Sequence, residues 1–159
     1  MANLNRPNGF TPTADAPKTK YLLPASQTIA VGDLVTLDSN SYVVIGSTGK
    51  LLGVAATPCT VSSAGDSIWV YDDPDQKFVA QISTGAVTDT YTTMTLSTAF
   101  DTVATTGAMY INAAASSNDQ IQVLRPASEP DSGQLSAAGS YQKVECRINR
   151  AKHCLGGIA

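Results

Sequence analysis

The sequence predicts an all-β protein, a small barrel or sandwich, and three observations support this. From Tyr21 onwards, short apolar runs are separated by Gly, Asp, Asn, Ser and Pro, which is the pattern of strands and turns. In residues 143–148, Val, Cys and Ile alternate with Lys, Glu and Arg, as a strand with one buried face requires. No window carries the i, i+3, i+4, i+7 apolar stripe of a helix.

The composition fits a single compact domain. The chain has 159 residues, of which 43% are hydrophobic and 14% charged, and its formal net charge is −3. The charge is too low and the aliphatic content too high for a disordered polyelectrolyte. A net acidic chain also lacks the clustered cations that phosphate neutralisation needs, so we expect no nucleic acid partner. No apolar run is long enough to span a membrane, and the opening residues lack the pattern of a secretory leader.

Residues 1–19 predict an extended N-terminal arm, and residues 20–159 a β domain. The arm contains three prolines, which fix the backbone and favour extended geometry before them. We expect it to become ordered on a partner surface. Leu4, Pro7 and Phe10 could then fill grooves of that partner.

The β domain is expected to contain nine short strands, with a poorly patterned excursion between them. The predicted strands are Tyr21–Leu23, Thr28–Ala30, Leu34–Leu37, Tyr42–Ile45, Leu51–Ala56, Ser67–Tyr71, Lys77–Ile82, Gln120–Leu124 and Lys143–Asn149. Residues 84–119 are rich in Thr, Ser, Ala and Gly and predict a loop-rich excursion. Further strands at Tyr91–Leu96 and Met109–Ile111 and a helical turn at Ala113–Ser116 are the candidates there.

Residues 46–50, Gly-Ser-Thr-Gly-Lys, resemble part of a phosphate-binding loop only superficially. A phosphate loop needs four residues between its glycines and a Ser or Thr after the lysine, and Leu51 follows here. We therefore predict a hairpin turn between the flanking strands.

Asp72, Asp73 and Asp75 place three carboxylates within four residues. Calcium is bound by such oxygens, but the glycine and glutamate that complete an EF-hand loop do not follow. Because Asp-Pro steps favour turns, we predict a tight acidic turn without a metal. Its carboxylates are available to a basic partner.

His153 is the single histidine, so any Ser-His-Asp or Cys-His mechanism must use it. A general base must be held rigidly beside its nucleophile, and a position near the carboxyl terminus rarely offers that. Cys59, Cys146 and Cys154 have irregular spacing, which favours reduced thiols over disulfides or a zinc site. We expect no enzyme, no cofactor and no metal, with a small hydrolase using His153 as the least favoured alternative.

The basic residues around Arg147 and Arg150 predict a solvated face or contact rim, since no aromatic residue lies among them. Trp69 and Tyr71 share one strand face with Ser67, which predicts a core or subunit interface.

Three stretches of the sequence are informative when they are taken together, in the order in which they occur along the chain. They are Ala2-Asn-Leu-Asn-Arg-Pro-Asn-Gly-Phe10, then Gly53-Val-Ala-Ala56 with Ile68-Trp-Val-Tyr-Asp-Asp-Pro-Asp-Gln-Lys-Phe78, and finally Gln122-Val-Leu-Arg125 with Tyr141-Gln-Lys-Val-Glu-Cys-Arg-Ile-Asn149. In this order and spacing they resemble the amino-terminal arm, the barrel hairpin and the carboxy-terminal portion of the head decoration, or capsid cement, proteins of tailed bacteriophages.

The resemblance implies a β-barrel-like structural protein on the outer capsid surface of the virion, made in the bacterial host cytoplasm. It implies that the protein stabilises contacts between major capsid protein subunits, and that it forms a homotrimer, with a dimer as the alternative. The arm residues expected to contact the capsid are Leu4, Arg6, Pro7, Phe10 and Pro12. The turn at Asp72, Asp73 and Asp75 is a further candidate contact. The alternative function is a tail or head-fibre adhesin that binds host surface glycans through residues 84–119.

Overall fold

The structure is a computed structural model that describes residues 8–46, 49–82, 99–103, 105–112, 118–128 and 141–155. These residues contain no α-helix, which confirms the all-β prediction. The strands are β1 (Thr11–Pro12), β2 (Thr19–Leu22), β3 (Leu34–Leu37), β4 (Val43–Ile45), β5 (Gly53–Ala55), β6 (Ser67–Tyr71), β7 (Phe78–Gln81), β8 (Ala99–Val103), β9 (Tyr110–Asn112), β10 (Ile121–Pro126) and β11 (Lys143–Ile148). One 3₁₀ helix, Arg150–Lys152, follows them.

The strands form two open antiparallel sheets with a sandwich-like arrangement. Counting the described strands, the large sheet has six in the order β1-β7-β11-β10-β8-β9, and the small sheet has five in the order β2-β6-β5-β3-β4. A parallel bridge joins Ile82, after β7, to Ile111 in β9, but among the described residues no ladder extends from it. Of the two predicted architectures, the protein therefore adopts the sandwich and not the closed barrel.

Two hydrophobic cores flank the small sheet. The inner core combines side chains of both sheets, whereas the outer core combines the small sheet with the segment around Leu23 and Ile29. Neighbouring residues of β3 enter different cores, since Leu34 belongs to the inner core and Val35 to the outer core. A sheet covered on both faces favours continuous apolar runs over alternation. In β11, by contrast, only alternate residues are buried, as its sequence predicted.

The chain enters the fold through a contact between two glycines and a buried phenylalanine. Gly9 and Gly32 both have positive φ, +74° and +91°, and a Cβ on Gly9 would lie 2.6 Å from the carbonyl oxygen of Gly32. The backbone N–H of Phe10 donates to that oxygen at 2.9 Å. Phe10 itself is 1% exposed and belongs to the inner core. Residues 9 and 10 are therefore packed parts of the sandwich.

The next residues reach the outer edges of both sheets. β1 pairs with β7 at one edge of the large sheet, and β2 pairs with β6 at one edge of the small sheet. Residues 13–18 must therefore cross from one sheet to the other. The connection 72–77, between β6 and β7, makes the same crossing, and the Thr13 N–H donates to the Lys77 carbonyl at 3.1 Å.

The carboxylate of Asp33 joins two turns inside the protein. Asp33 is fully buried, and its Oδ2 accepts from the Ala30 N–H at 2.9 Å. Its Oδ1 accepts from the Gly107 N–H, between β8 and β9, at 2.8 Å. One side chain thus ties the β8–β9 turn to the start of β3.

Several sequence predictions are wrong in detail. Residues 46–50 do not close a hairpin, because β3 lies between β4 and β5 in the small sheet. The predicted strand Thr28–Ala30 is reduced to a bridge between Ile29 and Cys59. The excursion contains β8, which was not predicted, and β9. The predicted segments Tyr91–Leu96 and Ala113–Ser116 lie outside the described residues.

Candidate functional site: a groove at Trp69 and the acidic turn

Of the five arm residues predicted to contact the capsid, the structure describes two. Leu4, Arg6 and Pro7 lie outside the described residues. Phe10 fills the inner core, so contact with another protein would require it to leave that core. Pro12 lies in β1 opposite Phe78, at a sheet edge.

The acidic residues form the tight turn that their sequence predicted. The Gln76 N–H donates to the Asp73 carbonyl at 3.1 Å, and the Asp75 N–H donates to Asp73 Oδ1 at 2.8 Å. The turn joins β6 of the small sheet to β7 of the large sheet. Its position beside residues 13–18 brings the acidic turn next to the N-terminal crossing.

Basic residues of the same chain lie opposite this turn. Nη1 of Arg150 lies 3.7 Å from Asp75 Oδ1, and Nη1 of Arg147 lies 3.9 Å from it. The Asp75 side chain is 61% exposed, so solvent screens both pairs and they contribute little to stability. The acidic turn thus remains accessible from solvent.

Asp72 makes a closer contact than the two exposed ion pairs of Asp75. Its Oδ2 accepts a hydrogen bond of 2.6 Å from the Tyr21 hydroxyl in β2. Partial burial raises the pKa of Tyr21, and the hydrogen bond and negative charge of Asp72 raise it further. The phenol therefore stays protonated and remains a donor to the carboxylate.

His153 is fully buried beside the small sheet. A parallel bridge pairs it with Leu51, and its Nδ1 accepts from the Leu155 N–H at 3.0 Å. Burial lowers the pKa of His153, although the nearby carboxylates of the acidic turn act in the opposite direction. Within the described part of the chain, Nε2 has no hydrogen-bond partner. Among the described residues, no hydroxyl or thiol group is hydrogen-bonded to the ring, a contact that general-base catalysis would use.

The three cysteines are unpaired thiols in the structure, as expected. Cys146 lies in the inner core, and its burial raises the pKa of the thiol. A thiol held protonated in this way is a poor nucleophile.

An open groove of about 360 Å³ lies where the N-terminal crossing passes the small sheet. It is lined by Asp15, Ala16, Lys18, Thr57 and Trp69. The crossing supplies the first three of these residues, while β6 and the chain after β5 supply the other two. Sequence reasoning missed the groove, because its sides are more than thirty residues apart in the chain.

The indole of Trp69 is the main apolar surface of this groove, and it is 43% exposed. The Trp69 backbone N–H donates to Thr57 Oγ1 at 3.0 Å. Tyr71, on the same face of β6, instead packs edge-on against Phe78 with ring centroids 6.4 Å apart. The strand face predicted to be core or interface is therefore covered at Tyr71 and open at Trp69.

Two lysines stand over these aromatic rings. Nζ of Lys20 lies 6.0 Å from the Trp69 ring centroid, and Nζ of Lys18 lies 5.5 Å from that of Tyr71. Leu22, two residues after Lys20 in β2, is 52% exposed. This end of the small sheet thus presents an aromatic ring, an aliphatic side chain and two cations to solvent.

The described residues contain no group of three or more His, Cys, Asp or Glu arranged to hold a metal ion. Nor do they include a helix with the length and apolarity to cross a membrane. A scan of protein-family models finds none that matches this chain, and a search of curated proteins finds no match either.

Proposed function

We propose that this protein is a head decoration protein of a tailed bacteriophage. It binds the outer capsid surface and stabilises contacts between major capsid protein subunits without catalysing a reaction. The observation that supports this best is the placement of the N-terminal strands. β1 and β2 lie at outer edges of the two sheets, so the preceding chain begins beside an edge that another protein can approach.

The fold anchors the chain at Phe10, shortly after the proposed capsid contacts in sequence. Phe10 is buried and its N–H is bonded to Gly32, while Asn8 is exposed. A proline-containing segment held at one end loses less conformational entropy when it lies on a partner. Leu4 and Pro7 would supply apolar contacts there, and Arg6 a cation for a capsid carboxylate.

Self-association would strengthen this attachment. A homotrimer, or alternatively a dimer, presents several N-terminal segments to one capsid, and effective concentration converts weak contacts into a firm one. Leu22 is an exposed apolar side chain in the edge strand β2 of the small sheet, and it is available for lateral contacts.

The test is deletion of residues 2–7, followed by binding to purified heads that lack the protein. We expect the truncated chain to keep its far-UV circular dichroism and oligomeric state but to lose capsid occupancy. Leu4→Ala should weaken binding, whereas Asn5→Ala serves as the matched control. Decoration at full occupancy by the truncated chain would contradict the proposal. A longer deletion to residue 19 is unsuitable, since it removes Phe10 from the core and β1 from the large sheet.

A further inference from the structure

We propose that the groove at Trp69 is a binding site for an acidic oligosaccharide. This inference concerns the small sheet and does not rest on capsid attachment. The first argument is the exposed indole. Aromatic side chains combine a large apolar face with a polar edge, and a sugar ring offers a matching flat face of C–H groups. Trp69 presents such a face in an open groove, with 43% of its surface exposed.

The second argument is the set of polar groups beside the ring. Asp15 contributes a carboxylate, which accepts hydrogen bonds from hydroxyl groups, and Lys18 contributes an ammonium, which donates them. Thr57 Oγ1 already accepts from the Trp69 N–H, and its own hydroxyl hydrogen can be donated to a ligand. Groups of both kinds around one aromatic platform suit a ligand rich in hydroxyls.

The third argument is charge. Lys18 and Asp15 both line the groove, and the Lys18 ammonium lies over the neighbouring Tyr71 ring. Lys20, which is not a lining residue, adds a second cation over the Trp69 ring. At 6.0 Å from the Trp69 ring centroid, the Lys20 ammonium is at the outer limit of a cation–π contact. It can therefore turn towards a ligand carboxylate at little cost. A sugar that carries a carboxylate is favoured over a neutral one.

The location of these groups favours a saccharide over an acidic peptide. A peptide that extended the small sheet would bond to the outer backbone of β2. The groove is instead built from side chains on the sheet face and from the crossing segment. Its volume of about 360 Å³ is near the lower end for ligand pockets, which suits a short stretch of sugar units.

The chain contains one tryptophan, so emission excited selectively at the red edge of the spectrum, where tyrosine does not absorb, reports on this groove. We would titrate the intact protein with trigalacturonic acid and, separately, with its methyl ester, which keeps the rings and removes the charges. We expect a saturable change in Trp69 emission with the acid, and binding of the ester weaker by about tenfold. No saturable change up to about 10 mM, where even millimolar affinity would register, would overturn the proposal.

Calorimetry on single-residue variants measures how much each groove side chain contributes to binding. Trp69→Ala should abolish binding of the acid. Lys20→Gln should weaken the acid several-fold and leave the ester unchanged, and Asp15→Asn should tighten the acid. Val61→Ala removes an exposed apolar side chain that does not line the groove, and it should change nothing.

Two outcomes would refute the saccharide assignment even if the groove binds something. One is equal affinity of the wild type and Lys20→Gln for the acid. The other is tighter binding of a tetraglutamate peptide than of trigalacturonic acid, which would indicate a protein partner. Capsid binding by Trp69→Ala, measured in parallel, keeps this result distinct from a failure of the decoration function.

Discussion

The Tyr21 hydroxyl donates a hydrogen bond of 2.6 Å to Asp72 Oδ2, and this bond holds the edge strand β2 to the acidic turn. The two residues are 51 positions apart in the chain, so the bond fixes how the N-terminal crossing sits beside the connection between the sheets. Both the groove and the acidic turn depend on that placement.

Tyr21→Phe tests this bond. A hydrogen bond to a charged group is worth about 1.5–3 kcal/mol, and Tyr21 is only partly buried, so we expect a loss near the lower value. Urea denaturation gives the free energy of unfolding. In a double-mutant cycle, Tyr21→Phe should cost much less when Asp72→Asn is already present. Additive losses would show that the two side chains do not interact.

His153 predicts a loss of stability in mild acid. Its ordinary pKa is 6.5 and its folded pKa is lower, so the unfolded chain binds the proton more readily. The contribution is therefore complete above pH 6.5 and declines as pH falls below it, by at most about 1.4 kcal/mol per pH unit. Urea unfolding at a series of pH values between about 5 and 7 measures the slope. His153→Gln should flatten it, and an unchanged slope would assign the effect to other groups.

Phe10→Ala should destabilise the protein strongly, because the ring is buried in the inner core. Truncation of a buried phenylalanine costs about 3–5 kcal/mol. Asn8→Ala is the matched control two residues earlier, where the side chain is exposed, and it should stay within about 0.5 kcal/mol of the wild type. Thermal unfolding of both variants provides the comparison. If Phe10→Ala were neutral, residue 10 would belong to a free arm.

Asp33→Asn should loosen the β8–β9 turn. Both carboxylate oxygens of Asp33 accept a hydrogen bond from a backbone N–H. In the variant an amide nitrogen replaces one of these oxygens, so two N–H donors face each other. A buried donor left without an acceptor costs about 1–3 kcal/mol. Hydrogen exchange should speed up at the Gly107 amide in the variant. The Asn112 amide in β9 offers an internal comparison, and uniform acceleration at both sites would indicate global destabilisation instead.

Local sequence patterns were sufficient for strands with one buried face. β11 was predicted in full because its side chains alternate between the inner core and a half-buried surface. The acidic turn was predicted because Asp-Pro geometry is a property of neighbouring residues. In β3 of the small sheet, Leu34 and Val35 lie in opposite cores, so burial does not alternate there and strand length remains the only guide.

What the sequence determined by itself is therefore the fold class, most of the strands and the acidic turn, since each depends on residues close together in the chain. Only the tertiary structure decided that β3 separates β4 from β5, that Phe10 is buried, and that Asp15 lies in one groove with Trp69. These are contacts between segments that are distant in the chain. They depend on which faces pack together in the folded protein, and residues that are close in sequence do not specify this.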